Sequence, residues 1–239
     1  MRLPDFIEKG PQLFLPQLSI DAVVIGYEQG VLKCLLLRIG EKWVLPGGYI
    51  GQKESVEGAA GRILRERTGL QAPHLNFLAV FGGQDRQFAE EFRYFFESRG
   101  LDWKEGHWMG ERFVSLGYFS LVDIQQTTPV AGLFDEEIGW FDLDDLPPMW
   151  LDHRHIATKA RISLQEIPHL EYLSPNLLPS PFTMPQLHKL HQLIRRKELD
   201  RSRFQKKMLA TDLFERLPQK KQESRGRSPF QYRLKPSKS

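Results

Sequence analysis

The sequence predicts an α/β (α+β) body, a sandwich of a mixed sheet and helices, followed by a small and strongly basic second domain. Apolar strand-like runs intersperse with amphipathic helical segments over the first 175 of 239 residues, which is typical of a mixed fold. The charge then changes sign, because residues 1–175 hold 17 Lys/Arg and 25 Asp/Glu whereas residues 176–239 hold 16 and 5. A tail of net charge +11 predicts contact with a polyanion, the alternative being a solvated charged extension.

The composition excludes several classes of protein. The single cysteine, Cys34, excludes a disulfide scaffold and a cysteine-based zinc site. No stretch approaches the roughly 18 uninterrupted apolar residues that indicate a membrane span. The first residues carry Asp5, Glu8 and Lys9 where a signal peptide needs an unbroken apolar segment. We therefore expect a soluble, cytoplasmic protein with no membrane partner.

Residues 18–38 are predicted to form a β-hairpin. Ile20, Ala22 and Val24 alternate along the first strand, and Glu-Gln-Gly at 28–30 supplies the turn. The second strand, 31–37, is almost continuously apolar, which favours burial on both of its faces.

The rest of the body is predicted from caps and apolar runs. A helix extends from about Ser55 to Thr68, and Gly69 stands where a C-terminal cap belongs. Further strands are expected at 75–81, 112–122 and 139–141, and a second helix at roughly 152–166.

Residues 88–110 are predicted to be an insertion rich in aromatic side chains. Phe88, Phe92, Phe95 and Phe96 are spaced i, i+4, i+7 and i+8, which places them on one face of a helix. We expect this helix to pack on the sheet, the alternatives being a ligand lid or a subunit contact.

A loop–helix–loop between Gly48 and Leu70 carries the most specific motif in the chain. Its fixed positions are Gly48, Glu54, Arg62, Leu64, Glu66, Gly69 and Leu70. Their spacing resembles the Nudix box, G-x5-E-x7-R-E-U-x-E-E-x-G-U with U a bulky aliphatic residue, and Trp-Val-Leu-Pro-Gly at 43–47 strengthens the match. Residues 18–150 therefore resemble a Nudix domain.

Two positions of the box depart from the family pattern. Resemblance to Nudix hydrolases implies a divalent ion, usually Mg²⁺, held by glutamates at i, i+3 and i+4 of the helix. These positions are Ile63, Glu66 and Arg67 here. Charges about 4 Å apart interact by about 4 kcal/mol, so Arg67 disfavours the metal strongly. We expect neither catalysis nor any metal or cofactor, and Mg²⁺ belongs only to the alternative of an active hydrolase.

The pocket of this domain is expected to bind a small effector instead. Gly47 and Gly48 allow close backbone approach, and Asp85 and Arg86 follow a strand that ends at two glycines. Arg67 is available to an anionic ligand or to a neighbouring carboxylate. The candidate effector-binding residues are Gly47, Gly48, Tyr49, Glu54, Arg62, Glu66, Arg67, Asp85 and Arg86. Two histidines near the predicted second helix, His153 and His155, are expected on a helix surface.

The basic tail is predicted to begin with two helices. Thr183 and Gln186 form a capping box around Pro185. An apolar stripe follows at Leu187, Leu190, Leu193 and Ile194. Asp200 caps a second helix, whose inward residues are predicted to be Phe204, Met208 and Leu209 and whose outward cations are Arg201, Arg203, Lys206 and Lys207. A short turn before a basic second helix predicts helix-turn-helix.

Two further strands extend this motif to a winged helix. They are expected at 213–217 and 230–234, and the segment between them holds Lys220, Lys221, Arg225 and Arg227. The second helix is expected in the DNA major groove and the wing on phosphates or the minor groove. The alternative is a basic appendage that packs on the body.

The order of these parts resembles the NrtR-type Nudix-related transcriptional regulators, which include arabinose regulators. The resemblance implies a homodimer on an inverted-repeat operator and an effector such as a pentose or ADP-ribose-like nucleotide. It divides the chain into an N-terminal arm (1–17), a Nudix-like domain (18–150), a linker helix and loop (151–175) and a DNA-binding domain (176–236). The alternatives are an active nucleoside diphosphate hydrolase, against which Ile63 and Arg67 argue, and an RNA-binding protein, for which no aromatic stacking platform is evident.

Overall fold

A computed structural model of the chain describes residues 2–71, 74–218 and 229–235. The helices in these ranges are α1 (Leu3–Leu13), α2 (Val56–Thr68), α3 (Ala89–Ser98), α4 (His153–Glu166), α5 (Leu170–Leu173), α6 (Met184–Arg195) and α7 (Arg201–Ala210). The strands are β1 (Phe14–Glu28), β2 (Val31–Ile39), β3 (Lys42–Val44), β4 (Gly47–Gly51), β5 (Asn76–Phe81), β6 (Val114–Leu121), β7 (Glu137–Asp142), β8 (Phe182–Thr183), β9 (Phe214–Arg216) and β10 (Gln231–Leu234).

The body is built on the predicted mixed sheet, in the order β3-β2-β1-β6-β5. The central pair β1 and β6 is parallel, and the other pairs are antiparallel. β4 pairs with the first half of β1, and β7 pairs with β2. The long strand β1 therefore lies at the centre of the sheet. Its first half also pairs with β4, the short strand that precedes α2.

Alternation along β1 builds a helix layer on each side of the sheet. Ile20, Ala22 and Val24 pack toward α2, whereas Val23 and Ile25 share a cluster with α4. β2 is buried on both faces, as its continuous apolar sequence predicts. The sandwich fold expected from the sequence is confirmed.

The caps of α2 follow the sequence prediction. The Ser55 hydroxyl accepts a hydrogen bond from the Gly58 N–H at 3.0 Å, and Gly69 ends the helix in the left-handed region at φ 72°. These caps fix where α2 begins and ends, and so they fix the direction of the chain before and after this helix.

The segment predicted as an N-terminal arm contains α1 and the first residues of β1. Phe6 and Ile7 pack into a cluster with the 88–110 insertion, and the Trp108 indole N–H donates to the Ile7 carbonyl at 2.9 Å. Gly10 lies against the Trp108 ring, which occupies the space where a Cβ would stand. Tertiary packing therefore stabilises a helix that contains both a glycine and Pro11.

The insertion contains the predicted aromatic helix. Phe92, Phe95 and Phe96 of α3 are buried against the β2 end of the sheet, together with Leu37 and Ile39. The expected packing of this helix on the sheet is confirmed, and the same aromatic cluster extends to α1.

The basic tail is a small domain with a three-stranded sheet in the order β8-β10-β9. The capping box at Thr183 is present, and the Asp200 carboxylate caps α7 by accepting from the Arg203 N–H at 2.7 Å. Phe204 and Met208 face inward as predicted, but Leu209 is 43% exposed. That prediction is wrong because a residue five positions after Phe204 lies about 140° around the helix from it.

Helix α4 joins the body to the tail domain by reciprocal arginine contacts. Arg161 of α4 donates to the Leu193 and Ile194 carbonyls at 3.2 and 3.1 Å, near the end of α6. Arg195 of α6 donates to the Ile167 carbonyl at 2.8 Å and to the Gln165 carbonyl, at the end of α4. A single apolar cluster also runs from β1 through α4 to α6 and α7, so the two domains share one continuous core.

Candidate functional site

A cavity of about 480 Å³ opens beside α2, between α1, β4 and the loop before β7. Its aromatic lining consists of Phe6, Phe14, Tyr49, Phe88, Phe92, Phe113, Phe134 and Trp150. Of the predicted effector-binding residues, those that line it are Gly47, Gly48, Tyr49, Arg62, Glu66, Arg67 and Arg86. Asp85 is exposed and does not line the cavity, and neither does Glu54, which lies behind Arg62.

Arg62 occupies both carboxylates that the Nudix-like box retains. Its guanidinium donates to the two Glu54 oxygens at 3.0 and 2.6 Å and to Glu66 at 3.2 Å. It also donates to the Tyr49 carbonyl at 3.0 Å. The hydrogen bond from Arg62 lowers the pKa of Glu54 despite its partial burial. Both glutamates are therefore engaged by one arginine side chain.

Arg67 forms an ion pair with Asp135 across the cavity wall. The Nη1–Oδ2 distance is 2.5 Å, and the two side chains are 17% and 2% exposed. Asp135 also accepts a hydrogen bond from the Gly132 N–H at 2.6 Å. Of the alternatives left by the sequence, the structure shows the pairing of Arg67 with a carboxylate.

Ile63, at the other altered box position, belongs to the core. Its side chain is buried with Ile20 and Ile50 and approaches Gly48. In the described part of the chain, no group of three or more His, Cys, Asp and Glu side chains could hold a metal ion.

A buried polar network lies at the far end of the cavity around Arg86. Its guanidinium contacts Asp21 at 2.6 Å and Asp152 at 3.1 Å, and the Ser115 hydroxyl donates to Asp21 at 2.6 Å. Burial raises the pKa of Asp21, but the neighbouring His153, Arg86 and Ser115 favour the carboxylate, outweigh the burial and hold that pKa below its ordinary value.

His153 lies beside this network and was wrongly predicted to lie on a helix surface. It is 5% exposed, and its Nδ1 accepts a hydrogen bond from the Leu45 N–H at 3.0 Å. Burial lowers the pKa of His153, so the ring is neutral with its proton on Nε2. His155 is exposed, as predicted.

Sequence reasoning missed Asp21, Asp135 and Asp152. Asp135 lies 68 positions from Arg67, and Asp152 lies 66 positions from Arg86. The sequence holds a weak signal for Asp21 alone, since an acidic residue in an apolar strand is rarely buried unless it is paired.

Helix α7 presents a free basic face. Arg201, Arg203 and Lys206 are exposed, and the structure gives them no ion-pair partner among the residues it describes. Lys207 differs, because its Nζ lies 3.6 Å from Glu171 of α5. The predicted tip cations Lys220, Lys221, Arg225 and Arg227 lie outside the described residues.

The cations on and next to strands β9 and β10 have partners within the same domain. Arg233 donates to Glu215 at 2.8 Å, and Lys235 contacts Asp212 at 2.5 Å. The Arg216 guanidinium stacks over the Phe230 ring. These cations of the sheet therefore differ from Arg201, Arg203 and Lys206 of α7, which have no ion-pair partner among the described residues.

The body is a mixed-sheet sandwich in which α2, the helix of the Nudix-like motif, lies beside a cavity, and this body is joined to a basic winged helix. The combination defines a Nudix-type domain fused to a DNA-binding module. Family models match both parts: the NUDIX domain over residues 15–160 and the NrtR DNA-binding winged helix domain over residues 175–234. The chain belongs to the Nudix family. Within the described residues, no helix has the length and apolarity needed to cross a membrane.

Several proteins and solved structures are similar to most of this chain. The ADPR responsive transcriptional repressor NtrR of Acinetobacter baylyi is 24% identical over 215 residues, which cover 86% of this chain and 77% of the relative. The crystal structure of Shewanella oneidensis NrtR complexed with a 27mer DNA has a TM-score of 0.69 at 27% identity, covering 92% of this chain and 94% of that one. A MutT/nudix family protein from Enterococcus faecalis matches with a TM-score of 0.63 at 22% identity, over 98% and 94% of the two chains, and shows the fold alone.

Proposed function

We propose that the protein is a transcriptional regulator that binds specific DNA through α7 and senses a small metabolite in the Nudix cavity. The observation that carries this proposal is the unpaired basic face of α7, formed by Arg201, Arg203 and Lys206. The similarity to an NrtR crystallised with DNA supports it. The predicted domain limits, 18–150, 151–175 and 176–236, belong to this proposal.

The same proposal assigns the Nudix domain to binding rather than hydrolysis. Glu54 and Glu66 are both engaged by Arg62, and Arg67 stands where the family supplies a third carboxylate. Binding of the effector then requires neither Mg²⁺ nor another cofactor. The effector belongs to the sugar or ADP-ribose-like class, the latter being what the name of the Acinetobacter relative indicates for that protein.

We further propose that the regulator acts as a homodimer on an inverted-repeat operator. A two-fold dimer presents two recognition helices to two symmetric half-sites. The edge strand β5 supports this, because it carries the exposed apolar side chains of Phe77 and Val80 and a second subunit would cover them.

The test is selection of bound sequences from a random duplex pool with the full-length protein in the absence of metal. We expect enrichment of a two-fold-symmetric site and release from it by a small metabolite. Length-dependent, sequence-blind binding would contradict the regulator. A parallel assay for Mg²⁺-dependent release of AMP from ADP-ribose is expected to give none, and robust release would instead favour the hydrolase.

A further inference from the structure

Two buried nitrogen atoms at the polar end of the effector cavity lack hydrogen-bond partners. They are Nη1 of Arg86 and Nε2 of His153, in residues that are 2% and 5% exposed and that both line the cavity. In the described part of the chain, no other buried side-chain polar atom without a hydrogen-bond partner belongs to a residue that lines this cavity. The polar groups that lack partners are therefore gathered at one end of it.

Both atoms are hydrogen-bond donors. His153 Nδ1 accepts from the Leu45 N–H at 3.0 Å, so the proton of the neutral ring is on Nε2. The other two nitrogens of the Arg86 guanidinium are engaged, because Nε donates to Asp152 at 3.1 Å and Nη2 donates to Asp21 at 2.6 Å. Neither Nη1 nor Nε2–H can accept a hydrogen bond. This end of the cavity therefore requires an acceptor.

The two donors lie beside the same neighbours. Arg86 pairs with the Asp21 carboxylate, and His153 is near enough to that carboxylate to act on its pKa. Both also contact Phe88, since Arg86 Cζ lies 5.3 Å from the centroid of this ring and the His153 ring centroid lies 6.4 Å from it. Phe88 is half-buried and lines the cavity. A rotation of its ring would bring both N–H groups within reach of a ligand.

A ligand oxygen is a suitable partner for this pair of donors. Leaving a buried donor unsatisfied costs free energy, and more so when the donor belongs to a charged group. Buried polar groups in folded proteins nearly always have a partner, so two orphaned donors in one place indicate a binding role. A hydroxyl, carbonyl or phosphate oxygen has lone pairs enough to accept from both at once.

The charges around the cavity do not decide among these kinds of oxygen. The lining side chains include three carboxylates and three guanidinium groups, those of Asp21, Glu66 and Asp135 and of Arg62, Arg67 and Arg86. The lining is therefore balanced in formal charge, and the neutral His153 ring does not alter the balance.

The remaining walls of the cavity suit a ring. Phe6, Phe14 and Tyr49 contact one another with ring centroids 5.3 to 5.9 Å apart, and all three line the cavity. Aromatic walls with a few polar groups at one end are typical of sites that hold and orient a small ring compound.

We propose that the effector places one acceptor oxygen between Arg86 Nη1 and His153 Nε2, while its ring lies against the aromatic wall of Phe6, Phe14 and Tyr49. The proposal rests on the regulatory function proposed above and deepens it. It makes His153 an effector-binding residue, and it limits the effector to ring compounds with an exposed acceptor oxygen, such as sugars and nucleotides. A compound that presents an ammonium group at this end is excluded.

Two substitutions separate the roles of the two His153 nitrogens. Asparagine places its amide oxygen near the position of Nδ1, so His153→Asn keeps an acceptor for Leu45 but does not reach Nε2. Glutamine places its amide N–H₂ near the position of Nε2, so His153→Gln keeps the donor to the cavity and loses the acceptor. We expect His153→Asn to weaken effector binding about tenfold and His153→Gln less than about threefold.

Binding is measured by titration calorimetry on the full-length protein without metal. The probes are ribose, arabinose, adenosine, AMP and ADP-ribose, of which at least one is expected to bind at millimolar concentration or below. His155→Asn is the matched control, because this exposed histidine of the same helix does not line the cavity, and we expect it to leave binding unchanged. A loss confined to His153→Gln, equal losses in both variants, no loss in His153→Asn, or no probe bound would overturn the proposal.

The same titrations identify the kind of oxygen. A phosphate oxygen at this end predicts that His153→Asn weakens AMP or ADP-ribose and leaves adenosine unchanged. A hydroxyl predicts that the substitution weakens the free sugar, or adenosine and AMP by the same factor. Each pattern supports the site and assigns it to one source of the oxygen.

A spectroscopic measurement on the unsubstituted protein tests the site without relying on a variant. Long-range ¹H–¹⁵N spectra report the Nε2 resonance of each histidine ring. Addition of the bound probe is expected to shift the Nε2 resonance of His153 and to leave that of His155 in place. An unshifted His153 resonance at saturation would refute the contact.

These outcomes are independent of whether the protein reads DNA. The sequence selection described above is run in parallel on the same preparation. Failure of the His153 predictions together with a symmetric DNA site refutes only the oxygen site. Sequence-blind DNA binding together with the expected His153 effects refutes only the regulatory function.

Discussion

Substituting adjacent lysines of α7 tests which of its charges contact DNA. Lys206 has no ion-pair partner among the residues described, whereas Lys207 lies 3.6 Å from Glu171. Together with Arg201 and Arg203, Lys206 gives α7 three cations per subunit that have no ion-pair partner among the residues described. With one phosphate contact for each cation, a dimer makes six contacts, and the logarithm of the DNA affinity falls with the logarithm of the salt concentration with a slope of about −5. The predicted tip cations would make the slope steeper. Lys206→Ala removes two contacts per dimer and is expected to flatten the slope by about 1.8.

The measurement is the affinity for the selected operator duplex, determined by fluorescence anisotropy over a range of salt concentrations. Lys207→Ala is the matched control, and we expect it to change the slope much less because its charge is already compensated. This difference does not depend on how many contacts the rest of the domain makes. Equal effects of the two substitutions would refute the reasoning, and so would a parent slope near zero.

Three further predictions concern stability, each measured by urea unfolding. Arg67→Met leaves buried Asp135 without a counter-ion and is expected to lower the free energy of unfolding by about 3 kcal/mol; Asp135→Asn in the same chain restores most of it, and a loss below about 1 kcal/mol would contradict a buried pair. Arg161→Met removes two bonds to the end of α6 and is expected to cost about 3 kcal/mol, an undiminished stability being the contrary result. Burial lowers the pKa of His191 to about 4, so as the pH falls the unfolded chain binds a proton at this histidine before the folded protein does. The free energy of unfolding is therefore expected to fall by about 3 kcal/mol between pH 6.5 and pH 4. His191→Gln should remove this part of the pH dependence, and an unchanged profile would exclude His191 as its source.

Local sequence signals predicted most of the fold. The cap at Ser55, the terminating Gly69 and the capping box at Thr183 each act within four residues, so their effect is readable from the chain itself. Helix α1 was not predicted because Gly10 and Pro11 argue against a helix, and only the distant Trp108 explains why it forms.

The chemistry of the cavity was predicted only in part. The box identified the residues of α2 and β4 that face the cavity, since their spacing is fixed by one helix and one strand. The partners that neutralise Arg67 and Arg86 come from segments more than 60 positions away. Nothing in the spacing of the chain encodes such contacts, which determine whether a positive charge is available to a ligand.

The reciprocal arginines between α4 and α6 also limit how the protein can be recombined. The sequence suggests an exchangeable sensor and an exchangeable reader joined by a linker, yet α4 packs on the sheet and also caps α6 through Arg161. A chimera in which a foreign reader domain begins after α4 would lose the hydrogen bond from Arg195 to the chain at the end of α4. A chimera in which the foreign sensor ends before α4 would lose the packing of α4 on the sheet. Grafting this reader onto another sensor therefore requires redesign of α4 as a surface that serves both partners.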